Sequence, residues 1–192
     1  MCYIDQPNIK FGGGGSGMCR GLLGLYWKAR EQSLDDCTDL CLRTLITLRE
    51  NGFDGFYLPG RSRKDSLRRT IDLSKEGVRK ILLRNRNRRD DNREVITELG
   101  FSLYLWSPRG DEEAFGLSLH CGCYSQWVGN NVTMTFPGEG PNSFANVRES
   151  AERLFDALVM LWKPELGILT EAEIRWQNGV IPNDVPAYKR YP

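Results

Sequence analysis

GFSLYLWSP (Gly100–Pro108), AFGLSLHCGCYS (Ala114–Ser125) and NNVTMTFP (Asn130–Pro137) follow one another with only RGDEE and QWVG between them. Each stretch alternates apolar residues with small or polar ones, the period-2 pattern of a strand with one face buried. The intervening stretches are turn material of hairpin length. Three such strands in succession predict an antiparallel meander.

Working outward, the segment before the meander changes period. Ser74 to Leu83, with Val78, Ile81 and Leu82 apolar, predicts a helix that runs out into a loop of Arg, Asn and Asp. Further upstream, LDDCTDLCLRTLITLRENG (34–52) follows Ser33, a helix-capping residue, and carries acids in its first turn. Its apolar positions Leu34, Cys37, Cys41, Leu45 and Leu48 recur at three-to-four spacing, and Gly52 ends it. RGLLGLYWKA (Arg20–Ala29) reads as a strand. FDGFYLPGRS is irregular with a short strand, and Ser62 or Ser66 is placed to open a second, short helix.

Downstream of the meander, GEGPNS breaks the pattern. Asn146 to Trp162 then forms an amphipathic helix through Val147, Ala151, Leu154, Leu158 and Leu161, which Pro164 ends. EAEIRWQ (171–177) predicts one last short strand before a proline-spaced tail. Strand, helices, three strands, helix and strand in that order predict a single α+β domain: an antiparallel β-sheet with helices packed mainly on one face.

Residues 1–17 do not join this pattern. KFGGGGSGMCRGL (Lys10–Leu22) has glycines but no preceding strand and no following Lys-Ser/Thr pair, so it is not a phosphate-binding loop. It has linker composition, and Met18 reads as the start of the domain, which then spans residues 18–192. Residues 2–11, CYIDQPNIKF, read as a peptide fused through that linker: either a partner peptide tethered to its receptor or an incidental leader.

Composition excludes several classes. No apolar run approaches the ~20 residues of a membrane span, and no secretory signal precedes the domain, which predicts a soluble, cytoplasmic protein. The six cysteines read as free thiols, because a chain of this length does not need disulfide staples. Cys37 and Cys41 lie one helical turn apart, and Cys121 and Cys123 share a strand face, so a four-thiolate zinc site is conceivable. The paired C-x-x-C spacing of zinc ribbons is absent, so neither metal nor cofactor is expected. Residues 61–93 hold thirteen Lys or Arg against five Asp or Glu; with a net charge of +1 overall, the rest of the chain carries −7. That segment offers an alternative reading as a nucleic-acid-binding module. It lacks interleaved aromatic residues between Lys75 and Arg93, which favours a solvated surface instead.

Nothing in the sequence requires catalysis. The single histidine, His120, sits inside a strand beside Cys121, and neighbouring strand residues point to opposite faces, so the two cannot form a nucleophile pair. No Walker, H-E-x-x-H, G-x-S-x-G or dinucleotide signature occurs. The carboxylate pairs Asp35-Asp36, Asp90-Asp91 and Glu112-Glu113 sit in caps and turns.

Five motifs in order, GLYWKAREQSLDDC, PGRS, ELGFSLYLW, SLHCGCYS with GNNVTMTFP, and LWKPELGILT, resemble the polymorphic-toxin immunity protein 52 family over about Gly24 to Thr170. The resemblance implies a small bacterial protein, not an enzyme, that neutralises a cognate antibacterial toxin. Such toxins often have a restriction-endonuclease-like fold and are delivered by type VI or related secretion. The motif residues themselves read chiefly as fold elements: Arg30 and Glu31 tying the strand end to the next helix, Asn130 and Asn131 in a turn, Trp162 packed at a helix end.

The partner surface is therefore expected in loops. A nuclease cleft is basic, so an acidic projection competes with the phosphate backbone for it. RGDEEAF (Arg109–Phe115) supplies one, with Asp111, Glu112 and Glu113 beside Phe115, and Trp127 in the next turn offers an aromatic anchor.

Overall fold

The computed structural model describes residues 21–58, 70–107, 115–171 and the backbone of 189–191. Its first strand, β1 (Gly21–Trp27), becomes the centre of the sheet. The meander β2 (Phe101–Trp106), β3 (Gly116–Cys121) and β4 (Asn130–Phe136) forms as its alternation predicts, and β4 then pairs antiparallel with β1. On the other side of β1 lie β5 (Leu166–Thr170) and β6 (Lys189–Tyr191), again antiparallel. The strand order is β2-β3-β4-β1-β5-β6.

Pairing register sorts the strand residues by face. Leu103, Leu119, Val132, Leu25 and Gly167 stand side by side across five strands, and Leu105, Leu117, Met134, Leu23 and Leu169 form the next row. These leucines, with Val132 and Met134, belong to one buried cluster. The same cluster holds Cys37, Cys41 and Leu48 of α1 (Leu34–Glu50), Val78 and Leu82 of α2 (Lys75–Arg84), and Leu154, Phe155 and Leu158 of α3 (Phe144–Trp162). The three described helices therefore cover one face of an antiparallel sheet in a single α+β domain. The opposite face carries residues such as Tyr104, Ser118 and Thr133.

Local chemistry explains the helix starts. Ser33 Oγ accepts from the Asp36 N–H at 3.1 Å while Asp36 Oδ2 accepts from the Ser33 N–H, a capping box that starts α1 where the sequence places it. Ser74 Oγ accepts from the Gly77 N–H and starts α2 in the same way. Lys75 pairs with Asp39 at 2.8 Å and Arg79 with Asp35, so the basic side chains of α2 meet the acidic first turns of α1. No described helix is long and apolar enough to cross a membrane.

The strand after α3 is LGILT, which the sequence pattern does not single out; of EAEIRWQ, expected as the last strand, residues 172–177 lie outside the described residues. Lys163 adopts φ 48°, which reverses the chain, and the Glu165 N–H then donates to the Tyr26 carbonyl, so pairing with β1 begins at once. Cys121 and Cys123 do not share a strand face, because β3 ends at Cys121 and Gly122 turns the chain with φ +68°. A Cβ at Gly122 would also stand 2.9 Å from the Cys37 sulfur. The fused peptide and linker (1–17), PGRS and the helix expected from Ser62 or Ser66 lie outside the described residues. Tyr57, from the irregular stretch, makes isolated antiparallel bridges to Trp106 and Thr70.

Candidate functional site

The turn between β3 and β4 is built from inside. Asn130, 1% exposed, accepts from the Cys123 N–H through Oδ1 at 2.8 Å, and its Nδ2 donates to the carbonyls of Cys123 and Lys28 at 2.9 and 2.8 Å. One amide side chain thus ties both ends of the turn to the end of β1. The Arg30 N–H adds a bond to the Cys123 carbonyl, and the Cys123 thiol donates to the Val128 carbonyl at 3.1 Å.

A second set of bonds holds the turn to Thr97–Leu99, the 3₁₀ turn before β2. The Tyr124 and Ser125 N–H groups both donate to the Glu98 carbonyl, and the Tyr124 hydroxyl donates to Thr97 Oγ1 at 3.1 Å. His120 Nε2 lies 2.6 Å from the Leu99 carbonyl. Burial lowers the His120 pKa below the ordinary histidine value, against an opposing pull from the backbone at Leu99 and Gly129. The lowered pKa favours the neutral ring, whose Nε2–H donates a hydrogen bond to the Leu99 carbonyl, a structural role. From this fixed turn Trp127 projects 84% exposed, with Tyr124 at 41%. Such an aromatic loses little freedom when a partner covers it.

Phe115, also expected at the partner surface, stands elsewhere. Phe115 is 4% exposed and makes edge contacts with Phe53 and Phe136 at ring separations of 5.3 and 5.9 Å. It fastens the base of the β2–β3 connection, where the Ser107 N–H donates to its carbonyl. Asp111, Glu112 and Glu113 lie outside the described residues. Successive turns of a meander fall at opposite ends of the sheet, so Phe115 and Trp127 are separated by the whole of β3, about 17 Å of strand at roughly 3.4 Å per residue.

Residues of the described resemblance motifs meet around the Trp127 end. Trp27 stacks on Trp162 with ring centroids 5.1 Å apart, and the Arg30 guanidinium lies over the Trp27 ring. Arg30 Nη1 and Nη2 donate to the carbonyls of Trp162 and Lys163 at 2.9 and 3.1 Å. Arg30 therefore caps the C-terminus of α3 rather than tying β1 to α1: a guanidinium matches the negative end of a helix and satisfies its last carbonyls.

Cys37, Cys41 and Cys121 converge in the core, with the sulfurs of Cys41 and Cys121 3.9 Å apart, but Cys123 is turned away towards Val128. The Cys121 thiol and burial push the Cys37 pKa up, and, against a lowering contact from Cys37, Cys41 and burial push Cys121 up, so these are free, protonated thiols. No group of three ligating side chains among the described residues is disposed to hold a metal.

In the basic segment, residues 61–69 lie outside the described residues. The described part closes into a hairpin where the sequence pattern predicts only a loop: Arg88 bridges to Val95, the Arg89 N–H donates to the Glu94 carbonyl and the Ile96 N–H to the Asn87 carbonyl. Asn85 Nδ2 donates to the Ser102 carbonyl and the Arg86 guanidinium lies 5.5 Å over Phe101, fastening the hairpin base to β2.

Among curated proteins none matches the chain. A family model described as immunity protein 52 matches residues 22–187, from the second residue of β1 to just before β6. That match takes in the sheet from β1 to β5, the three described helices and the Trp127 turn, and the chain belongs to the immunity protein 52 family.

Proposed function

We propose that this protein is the immunity partner of a secreted antibacterial toxin of nuclease type, which it binds one to one in the cytoplasm and neutralises without turnover. The toxin belongs to a polymorphic system delivered by type VI or related secretion. Family membership supports the class of function. The observation that carries the mode of action is Trp127, a large aromatic left 84% exposed on a turn fixed by buried hydrogen bonds. Tryptophan is the residue type most often found at the energetic centre of protein interfaces. We place the anchor of the complex there. Asp111, Glu112 and Glu113 are a separate candidate contact.

The test is titration. Cells producing the toxin domain survive in proportion to the amount of this protein, with full protection near equal amounts. Protection at far below one inhibitor per toxin would require catalysis and overturn the binding mechanism.

A further inference from the structure

We infer that the toxin surface facing Trp127 is acidic and that the arginine hairpin following α2 recognises it. This rests on the immunity reading above and adds the charge and position of the partner surface. Three observations lead to it.

First, the hairpin stands at the same end of the sheet as Trp127. Its last bond, from the Ile96 N–H to the Asn87 carbonyl, is one residue from Thr97, which the Tyr124 hydroxyl contacts. Second, two of its arginines are unanswered. On α2, Lys75, Arg79 and Lys80 pair with Asp39, Asp35 and Glu76. In the hairpin, Arg89 and Arg93 are exposed and neither has an ion-pair partner among the described residues. Third, the tip is held in shape. The Arg93 N–H donates to the Arg89 carbonyl, Arg93 sits at φ 61°, and Arg88 Nη1 donates to the Arg93 carbonyl at 3.0 Å. A non-glycine residue in that region is strained, and the surrounding bonds hold it there.

The composition selects the ligand. Residues 87–96 contain three arginines and no lysine, and a guanidinium fork matches carboxylate or phosphate oxygens two at a time. Asp90, Asp91 and Glu94 interrupt the arginines and would repel a continuous phosphate backbone, whereas they tolerate discrete carboxylates on a protein of mixed charge. Trp, Tyr and Arg together are the composition of an interface centre, with exposed aromatics at Trp127 and Tyr124 beside the arginines.

The experiment measures association of the full chain with the catalytically inactivated toxin domain encoded beside its gene, at low and at physiological ionic strength. Arg89→Glu with Arg93→Glu should slow association by about tenfold at low salt and flatten its salt dependence. Arg89→Lys with Arg93→Lys should keep most of the rate, and thermal melting of each variant reports that the fold is intact. Wild-type kinetics in the folded double-Glu variant would overturn the inference and leave the immunity reading standing. No binding by the wild-type chain would overturn both. Wild-type binding to a DNA duplex that the double-Glu variant loses would overturn the inference in favour of a nucleic-acid ligand.

Discussion

Trp162 Nε1 donates to Thr44 Oγ1 at 2.9 Å, a buried bond that joins α3 to α1 above the sheet. Thr44 is fully buried and donates its own proton to the Leu40 carbonyl, so its hydroxyl is used in both directions. Trp162→Phe and Thr44→Val should each lower stability by about 1–2 kcal/mol, with a coupling of roughly 0.5–1.5 kcal/mol in a double-mutant cycle read by urea unfolding. A coupling near zero would mean that stacking on Trp27, not the hydrogen bond, positions Trp162.

Asn130→Ala should be among the more damaging substitutions in the sheet. It strips partners from Cys123 N–H and from the Cys123 and Lys28 carbonyls at a site 1% exposed, which implies a loss of about 3 kcal/mol. Asn130→Asp tests the chemistry. An ionised carboxylate has no proton for either carbonyl, so burial raises its pKa; stability is then greatest at low pH and falls as pH rises through that value. Equal stability at acidic and neutral pH would contradict the donor role.

His120 carries a pH dependence of its own. Its folded-state pKa lies below that of the unfolded chain, so the unfolded state takes up the proton first and stability falls as pH drops below about 6.5. His120→Gln has an amide able to serve Leu99 but does not titrate. Over that window its urea midpoint should depend less on pH than the wild-type midpoint, and parallel curves would place the titration elsewhere.

Gly100→Ala should destabilise by several kcal/mol. Gly100 has φ +62°, and an added Cβ would stand 2.3 Å from the Cys121 carbonyl oxygen, a backbone atom that cannot swing aside. Thermal unfolding measures it; a melting temperature within a degree or two of wild type would show that the β2–β3 end adjusts.

Trp127→Ala separates binding from folding. With the side chain 84% exposed, stability should change by no more than about 0.5 kcal/mol. Toxin affinity should fall by about 30-fold or more, the mark of a central anchor. Unchanged affinity, read by titration calorimetry, would move the interface away from this turn.

Local pattern was enough for much of this molecule. Period-2 alternation in 100–108, 114–125 and 130–137 specifies the meander, because side chains in a strand alternate whatever lies above them. Ser33 with Asp36, and Ser74, specify where α1 and α2 begin, because a cap is satisfied within one turn of its helix. The apolar spacing in 34–48 and 147–161 identifies the buried stripes, and no partner needs to be known for a stripe to be read.

Long-range placement decided the rest. β1 lies between β4 and β5, and no local signal states which strand edge another strand will choose. LGILT is apolar on both faces and follows a proline, so as a sequence it reads as well at a helix end as in a strand. Only the open edge of β1 makes it a strand. Arg30 is adjacent to α1 in sequence, yet its guanidinium finds the C-terminus of α3, 132 residues away, because unsatisfied carbonyls gather there. Phe115 and Trp127 are twelve residues apart and stand at opposite ends of β3, whereas the arginine hairpin and Trp127 come to one end through Thr97 and Glu98. Sequence determines which side chains are available and which local elements they favour; which of them share a surface depends on strand order, and strand order depends on contacts between segments far apart in the chain.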